Sequence, residues 1–242
     1  MFLGIDIGTS EVKAVLLDSS HHVVGSSGSV LTVNRPHPGH SEQNPHDWWT
    51  ATQTALGALR QAHFAQYAAV RAIGLSGQMH GAVLLDAQDR VLRPAILWND
   101  TRSSEECVQM MSELPELAQL GGSLAMPGFT APKLRWVARH EPEVFKQVAK
   151  VLLPKDYVRL MLTGDYVTDM SDASGTLWLD VQQRAWSDQL LALTGLTRAH
   201  MPRLVEGSQA GGTLTPAMAQ QLGLSGNVIV AGGAGDNAAS AV

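Results

Sequence analysis

The sequence predicts an α/β fold with a mixed sheet and flanking helices, and three observations carry that expectation. Residues 2–33 hold three β-prone apolar runs joined by short polar turns, an order that pairs neighbours antiparallel. From Asn44 onward, stretches with helical apolar spacing alternate with short β-prone runs, which lays helices on a sheet. Two β-prone runs, one near each end, finish in glycine with a carboxylate beside it: Asp6 before Gly8, and Asp236 after Gly235.

The elements follow in order. Residues 2–7 form the first expected strand, which breaks at Gly8, and 12–17 the second. After a polar turn over 18–22, a third strand is expected over 23–33, interrupted by Gly and Ser. Residues 34–45 read as a loop marked by Pro36, Pro38, Gly39 and Pro45. Its His37 and His40 lack a Cys or helical His partner at ligand spacing, which argues against a metal there. Asn44-Pro45 starts a helix, since proline suits the first helical position, and Trp49, Leu56 and Leu59 give it an apolar face to about residue 64.

Strands are expected at 70–76, 82–86 and 91–98, then a helix to about 114. A loop over 121–130 leads to a helix over 132–140 that carries Leu134, Trp136 and Val137. A short strand at 151–153 precedes a helix over 155–162, and 166–179 is rich in Asp, Ser and Gly. Two short helices, near 188–193 and 216–222, come before the final strand at 227–231. A helix of small residues opens at Ala238. The helix-rich middle, about 103–220, is expected as an insertion on the sheet domain.

Composition narrows the function classes. An apolar share of 45% over 242 residues supports a sizeable core. The net charge of −5 has no long run of one sign, which speaks against nucleic acid or an acidic membrane surface as partner. Cys107, the single cysteine, excludes an internal disulfide and fits a reducing compartment. Nothing near Met1 reads as a secretion signal, and no apolar run approaches membrane-spanning length. The expected location is the cytoplasm.

The chemistry concentrates at the two glycine-bearing strand ends. Gly8, Thr9 and Ser10 form a tight turn whose backbone N–H groups and hydroxyls suit an anion, and Asp6 would face a metal that came with it. Polyphosphate with Mg²⁺ has that chemistry, and Lys13 is placed to reach the same phosphates. An ordinary hairpin, with Asp6 bonding its own turn and Lys13 solvated, is the competing reading. At the other end, strand, glycine-rich turn, Asp236 and small-residue helix make a second phosphate-edge arrangement, although Asp236 also fits a helix cap. The two ends read as one site.

An ordered set of motifs adds a resemblance. Asp6-x-Gly8-Thr9 with Lys13 is followed by Ser76-Gly77-Gln78-Met79-His80-Gly81 and Trp98-Asn99-Asp100-x-Arg102. Gly128 to Leu134 with Trp136, Leu153 to Tyr157, Ser171 to Thr176 and Gly235-Asp236-Asn237 complete the set. On these residues the chain resembles the FGGY family of carbohydrate kinases from Met1 to Val242. The Asp-x-Gly-Thr element is shared across the actin, Hsp70 and hexokinase superfamily and is weakly specific. The 128–140 stretch matches the family signature.

The resemblance implies a ribonuclease H-like domain of the actin/hexokinase superfamily, the first of two domains with ATP and sugar between them. Residues 1–242 are accordingly expected to be the N-terminal domain of a longer protein, whose C-terminal ATP-binding lobe is not in this chain. The implied reaction is MgATP-dependent phosphorylation of the terminal hydroxyl of D-xylulose to the 5-phosphate, and the Gln-Met-His-Gly piece is what points to that sugar. Asp236 would be the general base and Asp6 would hold Mg²⁺, through water. Gly8, Thr9, Ser10 and Lys13 would line the phosphates. Gln78, Met79, His80, Trp98, Asp100 and Asn237 would contact the sugar, with core packing as the competing reading for Trp98. Lys155 and Asp172 are weaker candidates, and Lys133 and Trp136 are expected to be structural. Partners are sugar, ATP, the chain's own C-terminal domain and, for a homodimer, a second copy. The alternatives are a family kinase for ribulose, fuculose, gluconate or glycerol, and a non-catalytic actin-like module or sugar sensor. A sensor would carry a helix-turn-helix segment with a basic face, and none is found.

Overall fold

In the computed structural model, which describes residues 1–241, the N-terminal hairpin lies inside a seven-stranded mixed sheet. Strands β1 (Phe2–Ile7) and β2 (Glu11–Leu17) pair antiparallel, with Asp6 opposite Lys13. Strand β3 (Val23–Val30) is the antiparallel edge and stops short of residue 33, because β2 begins at Glu11, opposite Val30. Strand β4 (Glu42–Gln43) is short, and helix α1 (Pro45–Ala62) follows it. Asn44 caps α1 by accepting the His46 N–H, and Trp48, Trp49, Ala55, Leu56 and Leu59 are buried on its inner face. Helix α2 (Phe64–Ala68) leads to β5 (Ala72–Gly77), which pairs parallel to β1 with Ser76 opposite Asp6.

Strand β6 (Val83–Leu85) sits as expected, but the strand expected over 91–98 shrinks to β7 (Ala95–Ile96). Pro94 has no N–H to give a ladder, and Val91 keeps only an isolated bridge to Leu85. Next come α3 (Ser104–Glu113), α4 (Leu117–Gly121), α5 (Thr130–His140) and α6 (Pro142–Phe145). Strand β8 (Lys150–Leu152) pairs with β6 and leads into α7 (Pro154–Thr163). The Asp/Ser/Gly-rich stretch holds β9 (Val167–Asp169) and α8 (Met170–Ser174), then β10 (Leu179–Asp180) and β11 (Ala185–Trp186) form a hairpin. Helix α9 (Asp188–Ala192) precedes β12 (Arg203–Val205), which pairs parallel to β9. Strand β13 (Ala210–Thr213), helix α10 (Pro216–Leu222) and strand β14 (Ile229–Ala231) return the chain to the main sheet.

Two cores result. One joins the sheet to α1, α7 and α10 through residues such as Ile5, Leu56, Val158 and Leu222. The other gathers Cys107, Leu134 and Leu190 from α3, α5 and α9, with Trp178 from the segment before β10. The stretch from 103 to 220 is therefore divided: α7, β13 and α10 pack on the main core, while α3, α5 and α9 build the second. Among the described residues, no helix is long and apolar enough to cross a membrane.

The end of the chain departs from a simple strand and turn. Strand β14 pairs parallel with β5 at Ala72 and Ile73, and β15 (Ala234–Gly235) resumes the same edge at Ser76 and Gly77. Between Ile73 and Ser76 on β5, the opposing segment from Val230 to Ala234 holds one extra residue, so the glycines form a bulge inside one strand line. Gly233 adopts φ +75°, and a Cβ there would come within 2.2 Å of the Leu75 carbonyl, so only glycine fits. Helix α11 (Asp236–Ser240) then opens directly beyond the sheet edge.

Candidate active site

Strands β1, β5 and β15 run parallel, so their C-terminal ends meet along one edge of the sheet. That edge carries Asp6, Ser76 and the Gln78-Met79-His80 loop, with Asp236 just past β15. Ligands bind at such carboxyl ends in open α/β sheets because loops and helix N-termini converge there.

Three cavities are lined by residues on either side of Asp236 in sequence, and two of them bear on the strand-end residues. A cavity of about 310 Å³ is lined by Met79, His80, Phe129, Gly235 and Asn237 among others, a size suited to a small sugar. A second, of about 390 Å³, is lined by Asp6, Lys13, Ser76, Gly233, Ala234 and Ala239. Gly235 and Asn237 line the first and Ala234 and Ala239 the second, so the chain around Asp236 borders both. Burial raises its pKa above the usual aspartate value. The Asn237 N–H, which donates to Oδ1 at 2.7 Å, opposes that rise, and the nearby Asp6 charge adds to it.

Asp6 accepts a 2.7 Å hydrogen bond from Ser76 Oγ, a partner the register supplies and the sequence reading missed. Lys13 is exposed, lines the same cavity and pairs with Glu11 at 3.0 Å. The turn between them closes with Gly8 N–H donating to Glu11 O at 3.0 Å, and a Cβ at Gly8 would crowd that oxygen at 2.9 Å. The Thr9 hydroxyl donates to Gln78 Oε1 at 3.2 Å and accepts from Trp98 Nε1 at 3.0 Å, while Ser10 is exposed. Among the described residues no group of three or more His, Cys, Asp or Glu side chains could hold a metal. One carboxylate with phosphate oxygens and water suits Mg²⁺ better than a full protein cage, so Asp6 fits the outer-sphere role.

His80 is shaped by its surroundings. Its φ is +66°, and its carbonyl is gripped by Lys133 Nζ at 2.8 Å and Thr130 Oγ1 at 3.2 Å, both from α5. The ring packs edge-on against Phe129, with centroids 4.6 Å apart. Burial, with the Lys133 ammonium beside it, lowers its pKa to about 4, so the imidazole is neutral at pH 7. Nδ1 lies 2.8 Å from the Gly175 carbonyl, and a carbonyl only accepts, so Nδ1 carries the proton. Nε2 is left as an acceptor, the complement of a sugar hydroxyl. Lys133, expected as structural, is fully buried, and it holds this carbonyl.

Three of the expected sugar residues sit elsewhere. Gln78 is buried, with Nε2 donating to Gln43 Oε1 at 2.8 Å and to Gly8 O at 3.3 Å, so it braces the turn at Gly8. Asp100 is buried too. Its oxygens accept from Ser41 N–H at 2.6 Å and from the Arg102 guanidinium at 2.9 and 2.7 Å. Burial alone would raise Asp100, but the Arg102 contacts hold it below the ordinary aspartate value. Trp98 is 43% exposed, yet it stands over Thr9 and does not line the cavity of Met79 and His80. Apart from the Asp100–Arg102 pair, these hydrogen bonds span tens of residues, so no local pattern announced them. Asn237 does line the sugar-sized cavity.

Behind this cavity lies a buried ionic cluster. Lys155 Nζ is 2.7 Å from Asp156, 2.8 Å from Asp169 and 3.0 Å from Asp172. Burial opposes the lysine charge, but the three carboxylates raise its pKa above normal. With three acids on one cation, burial pushes Asp172 up to about 7, against the pull of Lys155. Asp172 also faces the backbone at Gly235, where a Cβ would stand 3.2 Å from Oδ1.

The parallel strand edge carries Asp6 at the end of β1 and Asp236 just past β15, in a fold of the actin/hexokinase type. The family model for the FGGY family of carbohydrate kinases, N-terminal domain, matches residues 1–242, and the chain belongs to that family. It is 55% identical over 242 residues to the xylulose kinase of Escherichia coli (strain K12), covering 100% of this chain and 49% of that protein. Identity to the Klebsiella pneumoniae xylulose kinase is 54%, covering 100% of this chain and 50% of that protein. A crystal structure described as a xyloylose kinase from Brucella ovis superposes with TM-score 0.96 at 57% identity, over 98% of this chain and 49% of that one. The chain spans about half the length of these relatives.

Proposed function

We propose that this chain is the sugar-binding N-terminal lobe of an ATP-dependent kinase that phosphorylates the terminal hydroxyl of D-xylulose. The observation that carries the reading is that the residues flanking Asp236 line both a sugar-sized cavity and the cavity of Asp6 and Lys13. The names of the most similar relatives support xylulose as the sugar.

In this reading His80 Nε2 accepts a hydroxyl of the sugar, Asn237 and Met79 help to wall it, and the terminal hydroxyl comes within reach of Asp236. A sugar hydroxyl is a poor nucleophile, so a carboxylate must take its proton as the bond to phosphorus forms. Partial burial raises the pKa of Asp236, which makes it a stronger base than a solvated aspartate. Gly8, Thr9, Ser10 and Lys13 orient the phosphates from the other side. When present, Mg²⁺ would neutralise phosphate charge, with Asp6, fixed by Ser76, holding it through water. The remaining wall of the nucleotide site would come from a second lobe, which the half-length match to relatives supports. Polar small-molecule substrates and a buried thiol at Cys107, pushed up to about 11, fit a cytoplasmic enzyme.

The test is Asp236→Asn in the two-lobed enzyme, with steady-state kinetics on D-xylulose and ATP. The expected result is a fall in kcat of about 10²–10⁴, typical of a lost general base, with KM for xylulose changed by less than about threefold. A kcat near that of the parent enzyme would refute the base assignment.

A further inference from the structure

We infer that Arg159 is a positioning residue for phosphoryl transfer: its guanidinium fork clamps two carbonyls of the bulge that aims Asp236. The inference rests on the proposed reading of Asp236 as base.

Arg159 lies on α7, four residues after Lys155, and is fully buried. Its Nη1 donates to Ala231 O at 2.7 Å and its Nη2 to Gly232 O at 2.6 Å. Among the described residues it has no carboxylate within salt-bridge distance, and its Nε has no partner. A guanidinium buried without an ion pair is costly, and water or backbone donors could satisfy two carbonyls more cheaply. What only arginine supplies is a rigid planar fork that holds consecutive carbonyls at a set separation and angle.

The bulge is held from its other side too. Gly232 N–H donates to Gln209 O at 2.7 Å and Gly233 N–H to Gly207 O at 2.9 Å. Room for the fork is made by Gly211 in β13, where a Cβ would stand 2.3 Å from Nη1. The bulge carries the one extra residue before β15, so its conformation sets where Asp236 leaves the sheet edge. A general base must sit within hydrogen-bond reach of the hydroxyl, and displacement by an ångström costs much of its effect. Arginine stays charged throughout the working pH range, so the clamp does not titrate.

The test uses the two-lobed kinase with Arg159→Lys, which keeps charge but loses the fork, and Gly211→Ala, which keeps Arg159 but displaces it. Each is made alone and in the Asp236→Asn background, with kcat, KM for xylulose and melting temperature measured. The expected result is a kcat loss of about 10- to 100-fold in each single variant with KM within about threefold. In the Asp236→Asn background the same substitutions should cost less than about twofold further, because the group they position is gone. A merely structural role would lower activity equally in both backgrounds, and that result overturns the inference. So does unchanged kcat, or loss of folded protein in both variants, which would assign Arg159 to the fold alone. Should Asp236→Asn itself keep full kcat, the base assignment falls and takes the clamp with it. Should Asp236→Asn be inactive while Arg159→Lys is unaffected, only the clamp falls.

Discussion

Asp172→Asn should stabilise the protein relative to the parent by an amount that grows from about pH 4 and levels off above about pH 7. In the fold Asp172 is 3% exposed and shares Lys155 with Asp156 and Asp169, so one cation faces three acids. Its Oδ1 and Oδ2 have no hydrogen-bond donor, the Lys155 contact at 3.0 Å being misaligned for one. Its pKa is raised in the fold, so the native state holds this proton more tightly than the unfolded chain does. The stability linked to that proton is complete below the unfolded value, near 4, and is lost as pH climbs through about 7. A rise from 3.8 to about 7, at about 1.4 kcal/mol per unit, caps the loss at ~4 kcal/mol. Relaxation of Lys155 toward the other two acids lessens it, and about 1–3 kcal/mol is the expected change. Asn keeps the shape and can turn its carbonyl oxygen to Lys155. Urea unfolding of parent and variant at pH 5, 6, 7 and 8 reads the difference directly. It should be smaller at pH 5, grow in the variant's favour to about pH 7 and change little from there to pH 8, a shift of about 3–10 °C at its full size if read by melting. A difference that is flat with pH, or that favours the parent as pH rises, would show that Asp172 is ionised in the fold, and refute the argument.

Two further outcomes follow from the sugar side of the site. His80→Ala in the two-lobed enzyme should weaken xylulose use by about 1–3 kcal/mol in kcat/KM, the scale of one lost buried polar contact, and leave sugar-independent ATP hydrolysis unchanged. An equal fall in that hydrolysis would move His80 out of the sugar site. Lys133→Met removes the amino group that donates to the His80 carbonyl at 2.8 Å. It should raise KM for xylulose several-fold with kcat changed less, while costing about 1–2 kcal/mol of stability in urea unfolding. A kcat loss at constant KM would mean that Lys133 serves the transfer step instead.

Much of the site was legible because its chemistry is local. A β-prone run ending Asp6-x-Gly8-Thr9, and a second ending in glycines before Asp236, announce two acids at strand ends within a few residues of sequence. The period and flanking residues of 2–7, 12–17 and 45–62 likewise yield the hairpin and α1, since alternation and a proline-led helix start need no distant partner. Strand 91–98 was over-read because its apolar content masked Pro94, which cannot feed a ladder.

What the sequence by itself determined is the class of fold and the two carboxylates at strand ends, because periodicity, turn residues and strand-end motifs are short-range. What only the tertiary structure decided is where each polar side chain spends its hydrogen bonds. Gln78 and Asp100 look like ligands in the sequence and are buried braces in the fold, with partners at Gly8 and Ser41 far along the chain. The glycines before Asp236 look like a turn, but pairing with β5 makes them a bulge held by Arg159. Burial and register join residues distant in sequence, and a buried donor or acceptor is claimed by whichever partner the packing brings within about 3 Å.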